Sequence, residues 1–138
     1  MTQLISKHTG GMSFDTEIDG HMITIDADPD FGGEGKGPKP KPFVLQALTG
    51  CTGMDVVSLL NKMRVEFSDF EIKVDGELTD EHPKYYHKIH LTYILKTKAE
   101  YHAKVEKAVN LSQERYCGVS FMLSKAAELT HEIEFHEL

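Results

Sequence analysis

This sequence is short of cysteine, of long apolar runs and of positive charge. Two cysteines in the whole chain are too few for a disulfide scaffold, and in a reducing compartment both are thiols at rest. No apolar run approaches the roughly 18 to 20 residues of a membrane-spanning helix, and the N-terminus lacks the apolar centre of a signal peptide. We therefore expect a cytoplasmic protein without a membrane partner.

Acidic residues outnumber basic ones, 22 to 15, which gives a net charge of −7. Binding to nucleic acid phosphates needs a concentrated basic face, so a nucleic acid partner is not expected. The basic cluster at residues 36–41 is interleaved with glycine and proline, which is typical of a solvated loop. The length of 138 residues, with 40% hydrophobic and 27% charged residues, predicts a single globular domain over residues 1–138.

The first half of the chain predicts a hairpin, a loop and a long helix. Residues 12–18 and 21–26 alternate apolar and polar side chains around Asp19-Gly20, and an Asp-Gly pair between such runs predicts a β-hairpin. The polar segment 26–42 predicts a loop. From Phe43 to Met63 apolar residues recur at steps of three and four, with further apolar residues between them. A helix that is apolar on nearly every side belongs in a core or an interface.

The second half predicts two strands, two helices and a final strand. Residues 70–74 and 89–95 alternate, and the polar connection between them, which contains proline, favours an antiparallel pair. Residues 99–115 predict an amphipathic helix, a shorter helix follows Cys117, and residues 131–136 predict a charged edge strand. Together these elements make an α+β domain.

Cys51 lies between Gly50 and Gly53 inside the predicted long helix. Each glycine costs about 1 kcal/mol relative to alanine in a helix interior, so a local reason for them is expected. One reason is close approach of another backbone or of a substrate to the sulfur. The other is tight helix packing, and the sequence leaves both open.

Cys117 stands at the predicted start of the third helix, just before Gly118. Free N–H groups and the helix dipole lower the pKa of a thiol at such a position. If the fold brings the Cβ atoms of Cys51 and Cys117 to about 4 Å, the pair can cycle between dithiol and disulfide. The alternative is that both are small buried hydrophobes.

Three segments resemble the landmarks of the OsmC/Ohr family. They are Gly-Pro-Lys-Pro at residues 37–40, Leu-Gln-Ala-Leu-Thr-Gly-Cys-Thr-Gly-Met-Asp-Val-Val at 45–57, and Arg-Tyr-Cys-Gly-Val-Ser at 115–120. The predicted elements follow the family's order over nearly the whole chain, and the OsmC-like branch is the nearest. The resemblance implies an intertwined α+β homodimer, with the long cysteine helices packed centrally and two active sites at the interface.

The resemblance also implies a thiol-dependent peroxidase of organic hydroperoxides or hydrogen peroxide. By motif match, Cys51 would attack the peroxide, and Cys117 would resolve the sulfenic acid into a disulfide for an unidentified thiol reductant to reopen. No cofactor is implied. The alternative is a non-enzymatic dimer that binds an apolar ligand in the interface cleft, with the cysteines structural or redox-sensing.

Two auxiliary residues of the family's reductases have no counterpart in this sequence. The family's arginine, which holds the thiolate, is missing from the N-terminal region, because the chain has only Arg64 and Arg115. The glutamate that orients this arginine is replaced by Pro42. Positive charge near the thiol could instead come from Lys36, Lys39, Lys41, His21 or Arg115, although a lysine does not reproduce the bidentate geometry of an arginine.

The eight histidines do not predict a metal site. His131 and His136 miss the His-Glu-x-x-His spacing by one residue and would face opposite sides of a strand. His82, His87 and His90 have no cysteine near them in the sequence. We expect no metal ligand among the site residues.

Overall fold

The Asp19-Gly20 turn forms as predicted, because both residues adopt the positive φ of a type I′ turn, 51° and 82°. The structure is a computed structural model that describes all 138 residues, and the chain divides into two units, Met1–Val44 and Leu45–Leu138. The first unit holds an antiparallel sheet of β1 (Ser6–His8), β2 (Phe14–Ile18) and β3 (His21–Ile25), in that order. The hairpin is confirmed, and β1 is an additional strand at its edge.

The long helix, α1, spans Pro40–Lys62 and so begins three residues before the predicted start. Proline suits the first position of a helix, because the N–H that it lacks would have no intrahelical partner there. Within this chain α1 buries only one face, which is formed by every fourth residue: Leu48, Thr52, Val56 and Leu60. Its other sides are partly or fully exposed, and Met54 keeps 75% of its surface.

The second unit is built on a sheet whose strand order is β4-β5-β6: β4 (Phe67–Leu78), β5 (Tyr86–Thr97) and β6 (Glu128–His136). The predicted antiparallel pairing of β4 with β5 is confirmed, and β6 is an edge strand as expected. β6 runs parallel to β5, which the sequence did not indicate. Parallel neighbours need a crossover connection, and α2 (His102–Leu111) and α3 (Gly118–Ser124) provide it.

By length and composition alone, α1 could cross a membrane. It has 23 residues, and its most apolar window has a mean hydropathy of 1.5. The expectation that no segment is long and apolar enough to span a membrane was wrong for α1, because glycine and threonine interrupt its apolar runs without lowering its mean hydropathy enough. The property is weak support for a membrane, since the core helix of a soluble protein passes the same test.

We expect Leu95→Ala to lower the free energy of unfolding by about 2 to 5 kcal/mol. Leu95 is fully buried on the central strand β5, so the substitution removes packed atoms and leaves a cavity. Urea unfolding followed by far-UV circular dichroism at fixed protein concentration measures the change. The control is Leu138→Ala, at a side chain that is 59% exposed, for which we expect a change within about 0.5 kcal/mol. Equal effects of the two substitutions would contradict the assignment of β5 to the core.

Candidate active site

Two free thiols from distant parts of the chain meet in the second unit. Cys51 is half-buried on α1, and Cys117, only 3% exposed, is the residue that caps the N-terminus of α3. Their sulfur atoms lie within 4.8 Å of each other. The structure therefore brings together the two residues that the sequence analysis selected.

Cys117 is positioned by an irregular end to the preceding helix. The sequence predicted one helix to residue 115, but α2 ends at Leu111 and a π-helical turn follows over Ser112–Tyr116. The N–H of Cys117 donates to the carbonyl of Ser112, and the N–H of Ser120 donates to the Cys117 sulfur at 3.3 Å. Single π turns are common at functional sites, and this one turns the chain so that the sulfur faces α1.

The two glycines around Cys51 have different explanations. A Cβ atom at Gly53 would lie 3.1 Å from Cδ1 of Ile72, which is tighter than ordinary packing. Gly53 therefore allows α1 to pack closely on β4. A Cβ atom at Gly50 would meet nothing within 4 Å, so no contact within this chain requires that glycine.

Asp55 is a third member of the site, and the sequence analysis did not select it. One of its carboxylate oxygens lies within 4.8 Å of both sulfur atoms. Asp55 follows Cys51 by four residues, and residues at this spacing are neighbours on one face of a helix. That spacing was the available signal, although it could not reveal that Cys117 reaches the same face.

A chain of buried hydrogen bonds ends on the Asp55 carboxylate. The Ser112 hydroxyl lies 3.0 Å from Oδ2 of Asp55 and 2.8 Å from the Thr52 hydroxyl, which in turn lies 2.6 Å from the Tyr93 hydroxyl. Nε2 of Gln113 donates to the Tyr93 oxygen at 2.7 Å. An ionised carboxylate only accepts and an amide N–H only donates, so the hydroxyls between them all donate in the direction of Asp55.

The electrostatics around Cys51 disfavour its thiolate. Burial raises the pKa of Cys51 above its ordinary value, and the neighbouring Cys117 thiol and the Asp55 charge raise it further. The N–H of Val119, directed at the Cys51 sulfur, acts in the opposite direction, and the main influences on this pKa include no cation. At neutral pH Cys51 is therefore mostly a protonated thiol.

The candidate replacements for the family's arginine have other partners or positions. Lys36 pairs with Glu34 at 3.5 Å and Lys39 with Asp28 at 3.6 Å, both within the first unit. The Arg115 guanidinium lies 5.7 Å from the centre of the Tyr116 ring and forms no ion pair. Lys41 is in the first turn of α1, and His21 is the exposed first residue of β3.

A cavity of about 520 Å³ opens beside Cys117. Its lining includes Arg115, Tyr116, Phe121, Leu129 and His131, so it is partly apolar and partly polar. Burial and the nearby His90 lower the pKa of His131, whose ring meets the Tyr93 ring edge-on at 6.1 Å. His131 is therefore a neutral imidazole at neutral pH.

Two of the histidines considered as metal ligands, His87 and His90, have carboxylate partners near the surface. His87 pairs with Glu77 at 3.0 Å, and His90 pairs with Glu132 at 3.4 Å. The side chains that converge with metal-ligating atoms are instead Cys51, Asp55 and Cys117.

A second, shallower groove runs along α1 and β4. It has a volume of about 730 Å³ and is lined mainly by small and apolar residues, which include Gly50, Gly53, Met54, Val57, Phe70 and Ile72. The exposed side of α1, the helix that carries Cys51, forms one wall of this groove.

Comparison with known proteins identifies one family. The family model described as OsmC-like protein matches residues 33–132. Protein YhfA of Escherichia coli K12 is 39% identical over 130 residues, which make up 93% of each chain. The solved structure of a hypothetical protein from Aquifex aeolicus has a TM-score of 0.82 and 28% identity, and the match covers 99% of this chain and 98% of the other. An organic hydroperoxide resistance protein from Legionella pneumophila has a TM-score of 0.67 and 18% identity, with coverage of 97% and 98%, and so shares the fold.

We expect Tyr93→Phe to lower the free energy of unfolding by about 1 to 3 kcal/mol. The substitution removes the 2.7 Å bond from Gln113 and the 2.6 Å bond to Thr52, and leaves only the longer 3.2 Å contact between Gln113 and Thr52. Urea unfolding followed by circular dichroism measures the change. Tyr85→Phe is the matched control, because Tyr85 is 46% exposed and its hydroxyl is free to reach water. A cost no larger than that of the control would show that the buried chain does not stabilise the site.

Proposed function

We propose that this chain, which belongs to the OsmC-like family, is a cytoplasmic thiol-dependent peroxidase that reduces organic hydroperoxides or hydrogen peroxide through Cys51 and Cys117. The observation that carries the proposal is the convergence of the two free thiols within 4.8 Å. Relatives of the same fold are named for organic hydroperoxide resistance. The acidic net charge of the chain argues against a nucleic acid as partner.

The proposed reaction has two bond-forming steps. The Cys51 thiolate attacks one oxygen of the peroxide and the O–O bond breaks. The leaving alkoxide, or hydroxide from hydrogen peroxide, takes up a proton, so the products are the Cys51 sulfenic acid and an alcohol or water. The Cys117 thiolate then attacks the Cys51 sulfur, forming the S–S bond and releasing water once hydroxide takes up a proton. An external dithiol returns both cysteines to thiols by thiol–disulfide exchange.

The position of Cys117 supports its role as the resolving residue. It is almost fully buried, whereas Cys51 is the more exposed of the two residues, and a peroxide must reach the attacking sulfur from solvent. The two sulfurs lie within 4.8 Å of each other, so formation of the disulfide requires only that they move to bonding distance, about 2 Å.

We expect peroxide reduction to be slow at neutral pH and to rise over the whole range up to about pH 9. The rate follows the thiolate fraction, and the pKa of Cys51 lies above its ordinary value because of burial and the neighbouring thiol and carboxylate. Stopped-flow reduction of cumene hydroperoxide by the pre-reduced, chelator-treated protein, from about pH 6 to 9, measures this profile. A fast rate independent of pH would contradict the electrostatic assignment.

Three variants separate the roles of the site residues in the same assay. Cys51→Ser should abolish the reaction, and Cys117→Ser should leave a single turnover that ends at the sulfenic acid. Asp55→Asn removes a charge that opposes ionisation of Cys51, so its profile should shift to lower pH. If wild type and Cys51→Ser consume peroxide at the same rate, the peroxidase proposal fails.

The exposed side of α1 supports a homodimer as the working form. Its groove with β4 is mainly apolar, Met54 keeps 75% of its surface, and only 22% of the most apolar α1 window is buried within the chain. Large apolar patches on a small protein indicate an interface. We infer that a second copy of the chain covers this groove.

Light scattering at micromolar concentration should give twice the mass of one chain. Met54→Glu places a charge in the groove and should weaken the dimer or prevent folding, because folding and association are coupled when the monomer is unstable. Leu138→Glu, at another exposed apolar side chain, is the control and should leave the mass unchanged. A stable, folded monomer of the wild type would contradict the dimer.

One observation favours a second function, the binding of an apolar ligand without catalysis. The cavity of about 520 Å³ beside Cys117 is large enough for a small molecule, and its lining includes Phe121 and Leu129. The stopped-flow assay discriminates between the two functions, because a binding protein with structural cysteines would not consume peroxide through Cys51.

A further inference from the structure

The two sulfurs and the Asp55 carboxylate form a compact set of donor atoms. Each of the three ligand atoms lies within 4.8 Å of the other two. Asp55 and Cys51 are one turn apart on α1, and Cys117 reaches them from the N-terminus of α3. One face of α1 and the start of α3 are therefore enough to position all three groups.

The Asp55 carboxylate has no cationic partner. None of the eight ion pairs in the structure includes it. Oδ2 accepts the Ser112 hydroxyl at 3.0 Å, and Oδ1 accepts no hydrogen bond from within the chain. A half-buried carboxylate beside two thiols thus keeps one oxygen available as a ligand, while its other oxygen is held by the buried hydroxyl chain.

This donor set matches a thiophilic divalent cation. Zn²⁺ is bound by cysteine sulfur at about 2.3 Å and by carboxylate oxygen at about 2.0 to 2.2 Å, with tetrahedral geometry. Two sulfurs on one tetrahedral ion lie about 3.8 Å apart, which falls inside the 4.8 Å limit observed for the set. Three protein ligands leave the fourth position open to water or to a small ligand.

The surroundings of the set resemble the outer shell of a metal site. Ligand carboxylates in such sites are themselves hydrogen-bonded, which fixes their orientation. Here the Ser112 hydroxyl holds Asp55, and Thr52 and Tyr93 hold Ser112 through a buried chain. The carboxylate is therefore already oriented before any ion arrives.

We propose that the reduced protein binds one Zn²⁺ per chain through Cys51, Cys117 and Asp55. Binding forms two bonds to sulfur and one to oxygen, and the protons of the thiols are released to solvent. This function is separate from peroxide reduction, and it holds or fails whether or not Cys51 reacts with peroxides.

Co²⁺ serves as the spectroscopic probe, because thiolate ligands give it a near-ultraviolet charge-transfer band that histidine and carboxylate ligands do not. Titration of the reduced, full-length protein with Co²⁺ under anaerobic conditions should produce this band, saturating at one ion per chain. One equivalent of Zn²⁺ should remove it. The eight histidines can bind Co²⁺ elsewhere without contributing to the band.

Variants identify the ligands. Cys51→Ser and Cys117→Ser should each lose about half of the band, since each removes one thiolate. Asp55→Asn should weaken Co²⁺ and Zn²⁺ binding by at least about tenfold. Asp69→Asn is the matched control, because Asp69 is an exposed carboxylate that pairs with Lys96, and it should bind as the wild type does.

The result that overturns the proposal is a folded, reduced wild-type protein that gives no charge-transfer band with excess Co²⁺. A band of the same intensity in both serine variants would also overturn it. If Asp55→Asn does not fold, the serine variants still decide whether both sulfurs bind the ion. If it folds and binds as tightly as Asp69→Asn, Asp55 is not a ligand and the proposed site is wrong.

Discussion

The hydrogen-bond chain from Gln113 through Tyr93, Thr52 and Ser112 to Asp55 is the interaction on which the geometry of the site depends. It joins the central strand β5, the helix α1 and the π turn that follows α2. Each hydroxyl in it donates once and accepts at least once, and Thr52 also accepts from Nε2 of Gln113 at 3.2 Å, so none is left unsatisfied. Removal of one member takes a hydrogen-bond partner from each of its neighbours, and a buried polar group that loses a partner costs free energy.

The same chain fixes the relative position of the two sulfurs. Thr52 and Asp55 follow Cys51 on α1, and Ser112 accepts the N–H of Cys117 at its carbonyl. The side chain of Ser112 therefore holds the helix that carries one thiol, while its backbone holds the residue that carries the other. This double role explains why a π turn, in which the hydrogen bonds span five residues, lies at this point of the chain.

The contacts around Cys51 also give the site an electrostatic character opposite to that of a reductase with an arginine at its thiolate. The residue one turn from Cys51 is an acid, and the basic residues that the sequence offered as replacements either pair elsewhere or form no ion pair. A carboxylate near a thiol opposes the loss of its proton. In the proposed functions, this one charge would slow attack on a peroxide and favour the binding of a cation.

Local patterns in the sequence were enough for most of the fold. Asp19-Gly20 predicts its hairpin because the turn depends on the φ angles of those two residues alone, and the alternation of β4 and β5 follows from one buried face each. β1 has only three residues, all exposed, so it leaves no periodic signal. The parallel pairing of β6 also escapes the pattern, because alternation reports which face of a strand is buried and not the direction of its neighbour.

The sequence predicted the two thiols of the candidate site and did not predict the groups around them. Cys51 and Cys117 stand out by local context, between two glycines and at a helix start, and each context can be read from neighbouring residues. The contribution of Asp55 depends on Ser112 and Cys117, which reach it only through the path of α2 and the π turn. In the sequence, an acidic residue in an amphipathic or apolar helix looks like any other acidic residue. Its role becomes visible only when the residues of a second element are known to contact it.

A disulfide and a bound cation are mutually exclusive outcomes for this pair of sulfurs. The first requires an S–S distance of about 2 Å, and the second holds the sulfurs about 3.8 Å apart with both thiolates bonded to the ion. Asp55 acts on the two outcomes in opposite directions, since its charge raises the pKa of Cys51 in the free site and is neutralised when an ion is bound. An ion bound there would also protect both sulfurs from peroxide, because the lone pairs that attack oxygen are then shared with the metal. If both proposed functions hold, the charge of the acid beside Cys51 sets how strongly oxidation and metal binding compete at the site.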